Sequence, residues 1–257
     1  MISLLYPLLI AYTNAVTVGE SALSPPAAEH AALLAFRASY RASFKNKPIG
    51  EGGVELEWED GIYRARYWMT ANRGMAGAVG ARFEEEGRFT VTGHDFAPLD
   101  FRHDSKAFLS RDRWQATFAQ PPAAIAGEYN GKAFRFEQPG AVLDPLTQIF
   151  DSADKSAGGL TKWGGTALVK NELREYFFTA EAPVALVTPC AMFRARRIHR
   201  TREASNAARD IWQSPYFHFV PLRIDTIQRD GDVLRLELAR LERAGKIVCD
   251  AARRPDI

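Results

Sequence analysis

The chain has little cysteine: Cys190 and Cys249 are the only two in 257 residues. That excludes a small scaffold held by several disulfides. Two thiols so far apart also cannot make a zinc site alone, and whether they pair stays open at the level of sequence. Charge of one sign is lacking too. Lys and Arg number 33 against 31 Asp and Glu, a formal net charge of +2. Such a chain has no strong global field, so attraction to an acidic partner would need a local patch, and a nucleic-acid partner is not expected. No apolar run reaches the roughly 20 residues of a membrane-crossing helix, so no stable membrane span is expected. Sequence repeats and low-complexity tracts are absent. So are the Gly-x-Ser-x-Gly elbow of a serine hydrolase and the Gly-Lys-Ser/Thr ending of a phosphate loop. Ser152-Ala-Asp-Lys155 has a serine–lysine spacing known in penicillin-binding enzymes, but the companion Ser-Asp-Asn and Lys-Thr-Gly elements are missing. No catalytic residue, metal or cofactor is assigned.

What is present begins with an apolar N-terminus. Ile2 to Val18 carries Leu4, Leu5, Leu8, Leu9, Ile10, Val16 and Val18, and small residues follow at Ser21-Ala22-Leu23-Ser24. This fits the core of a secretory signal, although basic residues before it and a tidy cleavage site are both missing. The competing assignment is an ordinary buried strand or helix. On the signal assignment, residues 1–24 are a signal peptide and the location is periplasmic or otherwise exported. No cysteine follows directly, so a lipid-anchored form is not supported. Residues 25–35 then form a linker or a short helix, with the helix candidate at Ala31 to Ala35, residues 36–245 one β domain, and residues 246–257 a C-terminal tail.

From Phe36 onward the apolar period is mostly two, the period of a strand. Val54, Leu56 and Trp58 alternate with Glu55, Glu57 and Glu59, and Asp60-Gly61 then signals a hairpin. Tyr63, Ala65 and Tyr67 alternate with Arg64 and Arg66. Phe134 and Phe136 flank Arg135 after Asn130-Gly131, and Leu234, Leu236 and Leu238 share a face after Asp230-Gly231. Such alternation predicts antiparallel sheet with one buried and one wet face. Gly74, Gly77 and Gly80 are expected where a strand bends or bulges. One segment breaks the period: Asp144 is placed to cap a helix that Pro145 opens, with Leu146, Ile149 and Phe150 on one face, ending before Gly158-Gly159.

Several elements occur in a characteristic order. They are the Phe36-Arg-Ala-Ser-Tyr40 strand with a Gly50 turn, Gly61-Ile-Tyr63, and Gly93 through Pro98 to Phe101. Asp144-Pro145-Leu-Thr, Thr188-Pro189 and Trp212…Pro215…Pro221-Leu-Arg223 follow. In this the chain, from about Phe36 to Leu241, resembles the bacterial domain-of-unknown-function family 3108. The resemblance implies export and a curved antiparallel sheet, and implies no activity, ligand or catalytic residue. Cys190 departs from it, since the family usually has glycine after Thr-Pro, where a positive φ would be allowed. The fold expected is mainly β: a strongly curved antiparallel sheet, barrel or half-barrel, lipoprotein-carrier-like or lipocalin-like, with one or two short helices.

Two constellations suggest binding. Arg194, Arg196, Arg197, Arg200 and Arg202 cluster around His199. On a strand, Arg194, Arg196, Arg200 and Arg202 would share a face able to hold carboxylate or phosphate. The competing account is a solvated face balanced by neighbouring glutamates. Trp212, Tyr216 and Arg223 suit the mouth of an apolar cavity, with Arg223 orienting an anionic end, or else a packed aromatic cluster. The ligand-binding candidates are therefore Trp212, Tyr216, Arg223, Arg194 and Arg196. The leading functional expectation is a non-enzymatic envelope protein that binds or carries a lipid-like or anionic ligand. The alternatives are a structural or assembly factor acting through a surface patch, and a hydrolase using His94, Asp95 or His103. His94-Asp95 and His103-Asp104 are better explained as polar loop residues than as metal ligands.

Overall fold

Period-two patterning becomes one large sheet. The computed structural model describes residues 33–107, 110–119, 124–137, 139–203, 205–217 and 219–253. The expected signal segment and most of the linker lie outside these residues; residues 33–35 are not helical. Strands β1 (Phe36–Phe44), β2 (Lys47–Glu59), β3 (Ile62–Ala71), β4 (Arg82–Thr92), β5 (Asp95–Ala107), β6 (Ser110–Phe118), β7 (Ala124–Tyr129) and β8 (Lys132–Glu137) form an antiparallel meander. Asp60 and Gly61 turn with φ of 51° and 82°, and Asn130 and Gly131 with 47° and 81°. These left-handed pairs match the twist of the strands they join.

The second half continues from the other edge of β1. Strands β9 (Val142–Leu143), β10 (Lys162–Val169), β11 (Glu172–Ala180), β12 (Val184–Val187), β13 (Met192–Thr201), β14 (Ala208–Gln213), β15 (Pro221–Ile227), β16 (Val233–Arg243) and β17 (Lys246–Asp250) follow. β1 pairs with β16, from which β15, β14, β13, β11 and β10 succeed one another. All these pairings are antiparallel; β9 alone among the described strands pairs in parallel, with β10. Bulges at Ser39/Tyr40, Arg88/Phe89, Trp212/Gln213 and Leu241/Glu242 deepen the coil. The sheet curls strongly and does not close, since β8 and β10 share no ladder.

Inside the curl lies α2 (Thr147–Ala157), which touches β4, β5 and β13, walls from both halves of the sheet. Its Leu146, Ile149, Phe150 and Ala153 are buried among Phe89, Phe101, Leu56 and Leu222. Phe150 stacks on Phe89 with ring centres 5.6 Å apart. Asp144 caps the helix from three residues before its first hydrogen-bonded turn. Its Oδ1 accepts from the Leu146 and Thr147 amides at 2.8 and 2.9 Å, and its Oδ2 accepts from the Thr147 hydroxyl. The concave face is thus filled by a helix and aromatic rings.

Several expectations need correction. Gly74, Gly77 and Gly80 do not bend a strand; they lie in the β3–β4 connection, which contains the short α1 (Gly74–Ala78). Gly74 and Gly80 take φ of 62° and 61°, and a Cβ on Gly77 would stand 2.6 Å from the Asn72 carbonyl carbon. The first hairpin turns at Lys45-Asn46, with Gly50 inside β2. Pro98 lies within β5 beside the Arg88/Phe89 bulge rather than in a loop, and His103 is also on β5. The chain beyond 245 continues as β17, where Cys249 sits opposite Leu241 and is bonded to Cys190, with Cα atoms 5.6 Å apart. Cys190 does not adopt a positive φ. The turn needs no glycine because Thr188 closes it, its hydroxyl donating to the Ala191 carbonyl and accepting from the Ala191 amide.

Candidate functional site

Where the sheet fails to close, a groove of about 380 Å³ opens between the start of β5, β9, β10 and α2. Its apolar wall is made by Phe96, Pro98, Phe118, Val142 and Phe178. On the β10 side stand Gly164 and Gly165, and a Cβ added at Gly165 would meet only the Phe178 ring, at 4.0 Å. The polar end comes from α2. Gln148, Asp151 and Lys155 face the groove one turn apart, and Lys155 Nζ donates to Asp151 Oδ2 at 2.8 Å. Burial raises the Asp151 pKa above its ordinary value, with Lys155 working against that rise. An apolar wall with polar groups gathered at one end is the arrangement that accepts an amphipathic molecule.

A second polar cluster lies on the concave face. Glu85 points inward from β4, on the same side as Phe83 and Phe89, and its Oε1 is 3.1 Å from His103 Nδ1. Arg200 on β13 donates to Gln148 Oε1 at 2.9 Å and sits 4.4 Å from the centre of the Tyr176 ring. Arg200 is half-buried. Desolvation, reinforced by the like charge of Arg209, lowers its pKa to about 9. Arg209 is its direct cross-strand neighbour on β14. Tyr67 shares this interior and is pushed up to about 12, chiefly by burial.

The candidates expected from sequence are dispersed. The burial of β13 changes phase, with Phe193 and Ala195 buried before the change and Ile198 after it. Arg194 is therefore exposed, whereas Arg196 turns to α2 and donates to the Ser156 carbonyl, as Arg200 does to Gln148. Arg202 falls beyond the strand. The four arginines do not share one face. Trp212 and Arg223 lie on the convex face in a cross-strand row with Arg197, both guanidinium groups 5.8 Å from the Trp212 ring centre. Arg223 also donates to Asp225, at 2.9 and 3.0 Å from its Nε, and Arg235 donates to the same carboxylate at 2.9 Å. Tyr216 is exposed in the turn before β15. None of Trp212, Tyr216, Arg223, Arg194 or Arg196 lines the groove.

His94 and His103 stand nine residues apart along extended chain, about 30 Å at strand rise. His94 Nδ1 lies 2.7 Å from Asp154 Oδ2, whereas His103 meets Glu85. They do not converge on one reacting atom, as a hydrolytic site would require.

No protein-family model matches the chain, and no curated protein is similar to it. A solved structure is similar: the crystal structure of the beta-barrel-like protein of domain of unknown function DUF1849 from Brucella abortus. It superposes with a TM-score of 0.56 at 9% identity, covering 83% of this chain and 99% of that chain. At that identity the likeness concerns the fold alone, which is beta-barrel-like.

Proposed function

We propose that this is an exported, non-enzymatic envelope protein that binds a small amphipathic ligand in the groove at the open seam of its sheet. The observation that carries the reading is the groove itself. Its volume falls in the range of small-molecule sites, its wall is aromatic and aliphatic, and its polar groups sit at one end on a rigid helix. A fully enclosed lipid carrier is not favoured, because α2 and its aromatic neighbours occupy the concave face. Export is supported by the Cys190–Cys249 bond, since such bonds persist in oxidising compartments and are rare in the cytosol. The ordered elements named above support grouping the chain with the bacterial family 3108.

The test is native mass spectrometry of protein purified from its own envelope, with solvent extraction of what accompanies it. Gly165→Leu provides the control, because Gly165 has space for a side chain and no positive φ. A co-purifying amphiphile, lost with Gly165→Leu while the melting temperature holds within a few degrees, supports the groove. A clean apo mass, with equal uptake of anilinonaphthalene sulfonate by both proteins, removes it.

One observation favours the alternative, an assembly factor acting through its surface. Val187 and Met192 are cross-strand partners on the β12–β13 hairpin, and they are 67% and 69% exposed. A photo-crosslinker at Met192 that captures no envelope protein would dismiss that alternative.

A further inference from the structure

Among inward-facing positions, one cross-strand pair breaks ordinary sheet chemistry. Arg200 and Arg209 stand directly opposite each other on β13 and β14, next to Ile198 and Ile211, which are buried. Like charges opposed across an antiparallel ladder repel, and in a low-dielectric interior they repel more strongly. Glu85 acts on the charge of Arg200 but hydrogen-bonds neither guanidinium. Arg200 has Gln148 and the Tyr176 ring, both uncharged partners. Arg209 Nε and Nη1 are buried without a hydrogen-bond partner. Gln148, 2% exposed, spends its Oε1 on Arg200 and leaves its Nε2 buried and unpartnered. The nearby carboxylate, Glu85, holds His103 with one oxygen, and its other oxygen reaches neither guanidinium.

Unpartnered donors here outnumber unpartnered acceptors, three N–H groups against Glu85 Oε2, beside two cations, and donors of that kind are matched by an oxyanion. We infer that the Arg200–Arg209 pair, with Gln148, is a binding site for a single carboxylate or phosphate group on the concave face of the sheet. Guanidinium forks bind such groups bidentately, so an acceptor entering from outside would satisfy both. The site lies toward the end of the sheet where the β1–β2, β3–β4, β13–β14 and β15–β16 connections gather. It does not depend on the seam groove being occupied. Gln148 is the residue common to the two places.

Thermal denaturation of the full chain, titrated with inorganic phosphate or with acetate at constant ionic strength set by sodium chloride, tests this. The wild type is expected to rise by about 5 °C at a hundredfold excess over Kd. Arg209→Met should lose that rise and, with the opposed charge gone, melt no lower than the wild type in chloride alone. A wild-type melting temperature that follows ionic strength only, or an equal rise in Arg209→Met, overturns the site. Should Arg209→Met fail to fold, the Nε–Hε resonances of the wild type decide. Two arginine resonances moving in step with phosphate or acetate support the proposal, and no movement refutes it. Acetate and phosphate arms that differ show which oxyanion the site takes. A response to decanoate that exceeds acetate assigns the group to the head of an amphiphile rather than to a free anion.

Discussion

Lys170 and Asp112 join the two arms of the open sheet: Nζ lies 2.6 Å from Oδ2, although one residue is at the β10–β11 turn and the other on β6. Lys170 also reaches the Tyr129 hydroxyl at 3.4 Å, with its ammonium 5.3 Å from that ring centre. No strand ladder crosses the seam at this point, so a side-chain ion pair replaces backbone hydrogen bonding there. Lys170→Met should cost about 1 kcal/mol, because the half-buried Asp112 loses the cation that pairs its Oδ2. The melting temperature should fall by roughly 2–4 °C. A double-mutant cycle with Asp112→Asn checks it, and zero coupling between the two sites would show the arms to be independent.

The Cys190–Cys249 bond encloses 59 residues of separation and ties the 188–191 turn to β17. Chain-entropy arguments place its stabilisation at about 4 kcal/mol, and measured disulfides run from roughly 0 to 5. Reductant should lower the melting temperature of the wild type and leave a Cys190→Ser/Cys249→Ser double variant unmoved. Identical melting with and without reductant would mean that the bond contributes nothing to stability.

Asp144 makes stability depend on pH in an uncommon direction. Burial raises its pKa from 3.8 to about 6, against the hydrogen bonds from Thr147 and Leu146. A carboxyl with a raised folded pKa binds more protons folded than unfolded, so its contribution falls as pH rises from about 4 to about 6. Above that window the cost is on the order of 3 kcal/mol. Asp144→Asn, which still caps, should flatten urea midpoints between pH 4 and 6. Asp144→Ala should lose the cap as well, by about 1 kcal/mol. Equal pH slopes in wild type and Asp144→Asn would sink the assignment.

Phe150 is the ring by which α2 is held in the curl, fully buried and stacked on Phe89. Phe150→Ala should destabilise by about 3–5 kcal/mol, read as a shift of the urea midpoint at unchanged m-value. A change below about 1 kcal/mol would mean that the helix is not part of the cooperative core.

Alternation over Val54 to Trp58, Tyr63 to Tyr67 and Leu234 to Leu238, with the Asp60-Gly61 and Asn130-Gly131 turns, was enough to read the class of sheet. The Asp144 cap was enough to read the helix. The groove was not legible, because its walls come from β5, β6, β9, β10 and β11, which only the curl of the sheet brings together. The arginine face was misjudged because alternation on β13 changes phase after Ala195, and a period-two count carried through it reverses inside and outside. Glu85 was hidden in the run Glu84-Glu85-Glu86, where a charged stretch suggests an outer face. The signal that could have found it is Phe83-x-Glu85-x-Gly87-x-Phe89, a single inward row. Arg209 carries the same signal in its spacing from Ile211.

β16 is shared in an unusual way. One edge accepts β1 along its whole length, while the other accepts β15 over Val233 to Glu237 and β17 over Arg240 to Arg243. Phe36 therefore waits for Arg243, the last of the β1–β16 pairings to become possible as the chain is synthesised. Until then the first strand has an open apolar edge, the kind that captures other chains. A ribosome-bound or truncated form ending before β16 has no means of covering it. The order of synthesis thus leaves β1 with β2 alone as a neighbour until β16 has emerged.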